Sequence, residues 1–449
     1  MNRYFPIQRW ISALLLLLTC VSLTAKAQAP KTQEVRLDLS LATPVMEAGA
    51  PQKAFIKISL DGFELPGRAE RTPANVAIVL DRSGSMGGEK IRHAREAAIM
   101  AIGRLDARDI VSMVAYDSQV EVVVPATRLT DRQPIYSAIR SIRAGGNTAL
   151  FAGVSKGAAE LRKFIDRNRV NRVILLSDGL ANVGPQTPAA LGRLGQSLAK
   201  EGISVTTIGL GLGYNEDLMT QLAGMSDGNH AFVENAADLA RIFQYEFGDV
   251  LSVVAQDLII EIRCLNGVRP LRLLGREGEV FGDRVRTRLN QLYSEQEKYL
   301  VLEVEVPAQE AGSELELAGV QVDYANLATR QSARLEGRIQ ARFSASKEEV
   351  QQAVDKPALE SAVEQVANEY SREAVELRDQ GDVEGAKSLL QKSAEFLGAQ
   401  AEALASPELK AQEEEALQDA DKLSSDEEWN RQRKELREKQ YKRATQQTY

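Results

Sequence analysis

The spacing of hydrophobic and polar residues along this chain changes character more than once. Between Glu34 and Phe63 the period is two: Val35, Leu37, Leu39 and Leu41 alternate with polar residues, and Ala54, Ile56, Ile58 and Leu60 do so again after Gly49-Ala50-Pro51. Alternation of this kind turns one face of an antiparallel strand to a core and the other to water. Pro66-Gly67 and Thr72-Pro73 then break the pattern and mark a linker.

From 73 to 250 strands and helices take turns. Val76 to Leu80, Ile110 to Tyr116, Arg172 to Ser177 and Ser204 to Leu210 read as buried strands, and Ala231 to Val233 as a short one. Between and after them, Glu89 to Leu105, Gln133 to Ile142, Phe151 to Ile165, Ala189 to Lys200, Glu216 to Ala223 and Ala236 to Phe247 read as helices. Such alternation predicts a mainly parallel sheet with helices on both faces. The short turn at Asp117-Ser118 joins Ile110 to Tyr116 and Val120 to Val124 as a hairpin, so the second strand should be an antiparallel edge.

Period two returns in 251–345, over Leu258 to Leu265, Tyr299 to Val306, Leu315 to Tyr324 and Ala333 to Phe343, with turns at Asn266-Gly267 and Gly282-Asp283. The simplest architecture joins these strands to those of 30–72. The fold class is therefore α/β: a doubly wound, mainly parallel sheet (73–250) inserted in a β-sandwich and followed by a C-terminal helical region (346–449). In that region Val350, Val354, Leu359, Val363 and Val366 mark one helix, interrupted at Pro357. Ala374, Leu377, Ala386, Leu389 and Leu390 describe a helical hairpin turning at Gly381-Asp382, similar to a single tetratricopeptide-like unit. Ser425-Asp426-Glu427-Glu428 is a capping box opening a last charged helix through Lys442. Its mixed charge suits a solvated helix, with Trp429 and Tyr441 as the residues that could anchor a helix-mediated partner.

Composition narrows the function. A chain of 449 residues holds about two or three domains, and a net charge of −8 argues against a general nucleic-acid binder. Residues 1–27 read as a signal peptide: Arg3 and Arg9 precede the apolar run Ile11 to Leu18, and Ala25-Lys26-Ala27 fits the cleavage pattern. The expectation is export, to the periplasm or the cell surface or medium, with the mature chain starting near Gln28. A membrane anchor is the alternative, but the run is short for a span, and Leu17-Leu18-Thr19-Cys20 resembles a lipoprotein box only faintly. No later segment is apolar enough to cross a bilayer, so no membrane span is expected in the mature chain. Loss of Cys20 with the leader would leave Cys264 as the one cysteine, which rules out an intramolecular disulfide; its place on the apolar face of a strand predicts a buried thiol.

The chemistry-bearing stretch is Asp81-Arg82-Ser83-Gly84-Ser85, directly after the apolar run Val76 to Leu80. A carboxylate and two hydroxyls at alternating positions, in a loop at the carboxyl end of a buried strand, can converge on one point, and ligands of open α/β sheets bind there. Gly145-Gly146-Asn147-Thr148 offers a third hydroxyl in a Gly-rich loop, and Ser177-Asp178-Gly179 ends a second apolar strand in a carboxylate. Every one of these donors is a hard oxygen, the kind that suits Mg²⁺.

Asp81, Ser83, Ser85, Thr148 and Asp178, in this order and spacing, resemble the metal-ion-dependent adhesion site of von Willebrand factor type A (VWA) domains. The resemblance covers about residues 73 to 250; the flanks carry a weaker likeness to bacterial proteins that set such a domain inside a β-rich one. It implies that Ser83, Ser85 and Thr148 bind a divalent ion directly and that Asp81 and Asp178 act directly or through water; the hard-oxygen donors suit Mg²⁺, with Mn²⁺ or Ca²⁺ left open. A protein ligand would supply an Asp or Glu carboxylate to that ion. A cell-envelope assembly factor acting through the helical tail, with the metal site regulatory, is the second reading, and a metal-dependent hydrolase the third. Catalysis is not expected, because His93 and His230 are isolated in the sequence and no zinc-type ligand spacing exists.

Overall fold

A computed structural model describes residues 33–65, 67, 71–423 and 426–449. The leader read at 1–27 with its Cys20, Pro66 of the linker and Ser425 of the capping box lie outside the described residues.

Strands β1 (Arg36–Leu41), β2 (Val45–Glu47) and β3 (Gln52–Asp61) come first, and Ala54, Ile56, Ile58 and Leu60 of β3 are all buried, as their alternation requires. The chain then builds a central α/β unit from β4 (Ala74–Asp81), α1 (Glu89–Ile102), β5 (Ile110–Tyr116), β6 (Val120–Arg128), α2 (Gln133–Ser141), α3 (Leu150–Arg162), β7 (Val170–Ser177), α4 (Pro188–Lys200), β8 (Ile203–Leu210), α5 (Glu216–Ser226), β9 (His230–Val233) and α6 (Leu239–Val250). Its sheet runs β6-β5-β4-β7-β8-β9 and is parallel except for β6, the expected antiparallel edge. Every residue of β4, β5, β7 and β8 is buried, because helices cover both faces, and this is why the strands read as apolar runs. From β4 the chain adds β5 and β6 on one side and then crosses over to β7, β8 and β9 on the other, so the strand order reverses between β4 and β7. A crevice opens at the carboxyl ends of strands at such a point.

Beyond α6 come β10 (Val253–Cys264), β11 (Arg269–Leu274), β12 (Glu279–Phe281), β13 (Arg284–Tyr293), β14 (Glu297–Val306), β15 (Glu314–Asn326) and β16 (Gln331–Ser344). They form two sheets, β1-β3-β14-β11 and β12-β13-β10-β15-β16-β2. Ile58 of β3 faces Leu300 of β14 across an antiparallel ladder, and β2 runs parallel to β16, so strands from before and after the α/β unit share both sheets. Ile56, Leu302, Ile260 and Val322 meet in one core between the sheets, with Cys264 buried among them; burial pushes its thiol up to about 11. Four of these strands escape the alternation analysis. β2 and β12 are too short to show a period, β11 carries Arg269, Pro270 and Arg272, and in β13 the outward Arg284, Arg286 and Arg288 mask the inward Val285, Thr287 and Leu289.

The tail forms α7 (Lys347–Gln352), α8 (Lys356–Asp379), α9 (Val383–Leu404), α10 (Pro407–Lys422) and α11 (Asp426–Thr445). Pro357 does not interrupt a helix but opens one: it sits in the first turn of α8, behind an Asp355 cap that accepts from the Ala358 amide at 3.0 Å. Gly381, at φ 88°, makes the predicted turn between α8 and α9.

Contrary to its charge pattern, α11 is not a solvated helix. Lys434 is 2% exposed at its side chain and donates to the Tyr214 carbonyl at 2.9 Å and to Glu216 at 2.6 Å. Arg433 bridges Glu216, Asp217 and Asp379, and the Tyr441 hydroxyl donates to the Gly228 carbonyl at 2.6 Å. Just beyond α11 the Gln447 amide accepts from the His230 amide at 3.1 Å and donates to its carbonyl at 3.0 Å, while Glu438 accepts from the Phe232 amide. The charges of α11 are thus counter-charges to α5, and its side chains close the edge that β9 would otherwise present. Trp429 lies under the Arg378 guanidinium, 5.1 Å from ring centre to Cζ.

At the amino end of β7, Arg172 is fully buried and donates to Thr206, to Glu246 of α6 and to Tyr293 and Gln291 of β13. Asn229 extends the network to Glu246, Asp249 and the Tyr449 hydroxyl. This locks α6 to the sandwich.

Two outcomes are expected. Lys434→Ala removes the buried ammonium from Glu216 and the Tyr214 carbonyl, leaving Glu216 with Arg433 alone among the described residues, and should cost about 3 kcal/mol in urea denaturation. Burial, with Glu246 adding, pushes the Asp249 carboxyl up to about 6 from 3.8. Between those values the folded protein keeps a proton the unfolded chain has lost, so this group's contribution to stability is full below pH 4 and lost as pH rises through 6. Asp249→Asn should remove that slope, on the order of 3 kcal/mol over the window, from denaturation measured at stepped pH.

Candidate metal centre

Asp81 is the last residue of β4, and β7 beside it ends at Ser177, so the backbone register delivers Asp81 and Asp178 to neighbouring loops. The Arg82 amide donates to the Tyr116 carbonyl at 2.8 Å, carrying the β4–β5 alignment one step past the strand. Two backbone bonds, Gly84 N to Gly146 O at 3.0 Å and Gly145 N to Arg82 O at 2.8 Å, then stitch the Asp81–Ser85 loop to the glycine loop before Thr148. Gly146 has φ 78°, the left-handed conformation glycine adopts without strain. The Thr148 amide donates to Asn182 Oδ1 at 2.7 Å, and the Thr148 carbonyl accepts from the Asn182 and Val183 amides, which ties this third loop to the one after β7.

The side chains meet where these loops meet. Ser83 Oγ and Ser85 Oγ are 3.1 Å apart, and Ser85 donates to Asp178 Oδ1 at 2.6 Å. A methyl group built on the Cα of Gly179 would lie 3.2 Å from Thr148 Oγ1, 3.4 Å from Ser85 Oγ and 3.8 Å from Ser83 Oγ. The three hydroxyls therefore surround a single point that the missing Cβ leaves open. Asp81 accepts from the Ser83 amide at 2.8 Å and from the Ser177 hydroxyl at 2.6 Å, and both Asp81 and Asp178 are almost wholly buried. All five residues singled out in the sequence are thus in one cluster.

Burial pushes the Asp81 carboxyl above the usual range; the Ser177 and Ser83 hydrogen bonds oppose it and the nearby Asp178 adds to it. Lys90, in the first turn of α1, places its ammonium 2.5 Å from Asp178 Oδ2. Two carboxylates against one ammonium leave the cluster short of positive charge, and hard hydroxyl oxygens around an open point are the donor set a divalent ion such as Mg²⁺ takes. Among the described residues no three His, Cys, Asp or Glu side chains are arranged to hold a metal, so an ion here depends on the hydroxyls.

Sequence reasoning missed four contributors. Ser177 orients Asp81, Gly179 leaves the space, Asn182 fixes the Thr148 loop, and Lys90 neutralises Asp178. Ser177 and Gly179 flank Asp178 and carried a weak signal; Lys90 and Asn182 carried none, since their roles exist only across loops. The histidines belong elsewhere. His93 stands 3.5 Å from Glu89 on the outer face of α1, and His230 is enclosed against Thr207 and Tyr441, where burial pushes it down to about 3 and keeps it neutral. Beside the cluster a cleft of about 440 Å³ opens between Leu180, Leu212 and Asn430 of α11.

Comparison with known proteins adds a family. The von Willebrand factor type A domain model matches residues 75–244. Residues 75–244 form a VWA domain. An uncharacterized protein of Synechocystis sp. is 26% identical over 80% of this chain and 87% of its own length. Escherichia coli YfbK, also uncharacterized, is 26% identical over 47% of this chain and 37% of its own. In three dimensions the von Willebrand factor type A protein from Catenulispora acidiphila superposes with a TM-score of 0.67 at 18% identity, covering 84% of this chain and 89% of that one. VWA domains commonly mediate protein–protein interaction or adhesion and often bind a divalent metal. No described helix is long and apolar enough to cross a membrane.

In EDTA, the raised Asp81 means that this group favours the fold most at low pH and costs stability once pH rises past its folded value. Asp81→Asn should therefore unfold at a higher temperature than wild type in EDTA at pH 7, read by circular dichroism.

Proposed function

We propose that this chain is an exported protein that binds a protein partner through a divalent cation, Mg²⁺ in the first place and Mn²⁺ or Ca²⁺ as alternatives, held by Asp81, Ser83, Ser85, Thr148 and Asp178. The observation that carries the reading is the open point shared by the three hydroxyls beside two buried carboxylates. Bound there, the ion would supply a Lewis acid able to accept a carboxylate from a partner's Asp or Glu. Neutral hydroxyls leave more of its charge unspent than a cage of carboxylates would. The residues of the chain do the rest: Ser177 and the Ser83 amide hold Asp81 in place, Asn182 holds the Thr148 loop, and Gly84 and Ser85 are exposed.

The export part of the reading comes from the residues of 1–27. The tail-mediated alternative is disfavoured by α11, whose Lys434 and Tyr441 are engaged by the chain's own α5 and the Gly228 carbonyl. Neither histidine supports an enzymatic reading, as His230 is enclosed and His93 pairs with Glu89.

Calorimetric titration with Mn²⁺ should show one ion bound by wild type. Gly179→Ala, which fills the open point, and Thr148→Val, which removes one donor, should each lower the affinity about 100-fold while circular dichroism stays unchanged. Capture of a partner from envelope extract should need Mg²⁺ and fail with EDTA and with either variant. Capture undiminished by EDTA, or by Gly179→Ala, would sink the reading.

A further inference from the structure

The one cation paired with either site carboxylate, among the described residues, is Lys90. Its position is unusual on local grounds. It is the second residue of α1, where the positive end of the helix dipole favours acidic side chains and disfavours an ammonium. No carboxylate of α1 is paired with it; Glu89 and Glu96 are taken by Arg92 instead. The ammonium reaches out of the helix to Asp178 Oδ2, while the other oxygen of the same carboxylate accepts from Ser85. Along the way it passes the loop after β8, where a methyl group on Gly211 would come within 3.8 Å of it. The Lys90 side chain is 38% exposed and the Asp178 side chain is fully enclosed, so the lysine can swing out to water and the aspartate cannot follow.

We infer that Lys90 is a tethered competitor of the divalent ion: it holds Asp178 when the site is empty of metal and must be displaced when metal enters. The inference rests on the metal-binding reading above. A single positive charge balances one carboxylate; a doubly charged ion balances both and gains the hydroxyls as well, so it displaces the ammonium where a monovalent ion has little advantage. Lys90 thereby sets the divalent-ion concentration at which the site fills. Broken ion pairs of this kind are screened by salt, which makes the threshold fall as ionic strength rises relative to a variant without the lysine.

The test is Mn²⁺ titration by calorimetry on the full chain, for wild type, Lys90→Met and Lys90→Arg, at 0.05 M and 1 M NaCl, together with unfolding temperatures in EDTA. Lys90→Met should bind Mn²⁺ about tenfold more tightly than wild type at low salt, with the gap narrowing at high salt. Its metal-free form should unfold at a lower temperature, since Asp178 is left without a counter-charge. Lys90→Arg, whose planar fork can grip the carboxylate at two oxygens, should bind Mn²⁺ several-fold more weakly, and this decides the matter should the Met variant not fold. Binding by Lys90→Met but not by wild type would also support the inference. Equal or weaker binding by Lys90→Met, or unchanged binding by Lys90→Arg, overturns it while leaving the metal site standing. Absence of Mn²⁺ binding in all three proteins overturns both.

Discussion

Two carboxylates buried side by side at the ends of adjacent parallel strands are the constraint on which this structure turns. Removing a charged carboxylate from water is expensive unless hydrogen bonds or opposite charges replace the lost solvent. Asp81 finds an amide and the Ser177 hydroxyl, and Asp178 finds the Ser85 hydroxyl and the Lys90 ammonium. The compensation is incomplete, as the upward push on Asp81 shows. The three hydroxyls beside these carboxylates leave a point open where Gly179 has no side chain, the feature on which the proposed cation site rests.

The other end of the same sheet is built on the opposite principle. There Arg172, Glu246, Thr206, Asn229, Tyr293 and Tyr449 are joined in a buried network spanning β7, β8, α6, β13 and the tail, in which only the Arg172 Nε lacks a partner among the described residues. A densely connected buried network, with both terminal nitrogens of Arg172 engaged, rigidifies what it joins. The VWA domain thus has a fixed base, clamped to the sandwich and sealed along β9 by α11, and an upper rim whose electrostatics are unfinished. Apolar packing through β4, β5, β7 and β8 separates the two.

How much of this was legible beforehand depended on range. The runs Val76 to Leu80 and Arg172 to Ser177 declared themselves because strands covered on both faces have no polar side to show, and the alternation over Ala54 to Leu60 did so because one face is wet. The site was legible because its donors follow such strands directly: Asp81 comes at the end of β4, and Asp178 immediately after β7. By contrast the arginines of β13 hide its inward side chains, Pro357 looks like a break although it opens a helix, and the charge of α11 suits a solvated helix because charge along one segment says nothing about what faces it.

The chain by itself determined the period of each segment, the loops at which oxygen donors would stand and the wrapping of one sheet inside another, since these follow from local spacing and strand order. Only the folded structure decided that Gly179 leaves the space those donors share, that Lys90 of α1 crosses a loop to reach Asp178, and that Lys434 of α11 closes on Glu216. Each of these is a meeting of residues far apart in sequence, and such meetings are governed by where the backbone passes in space.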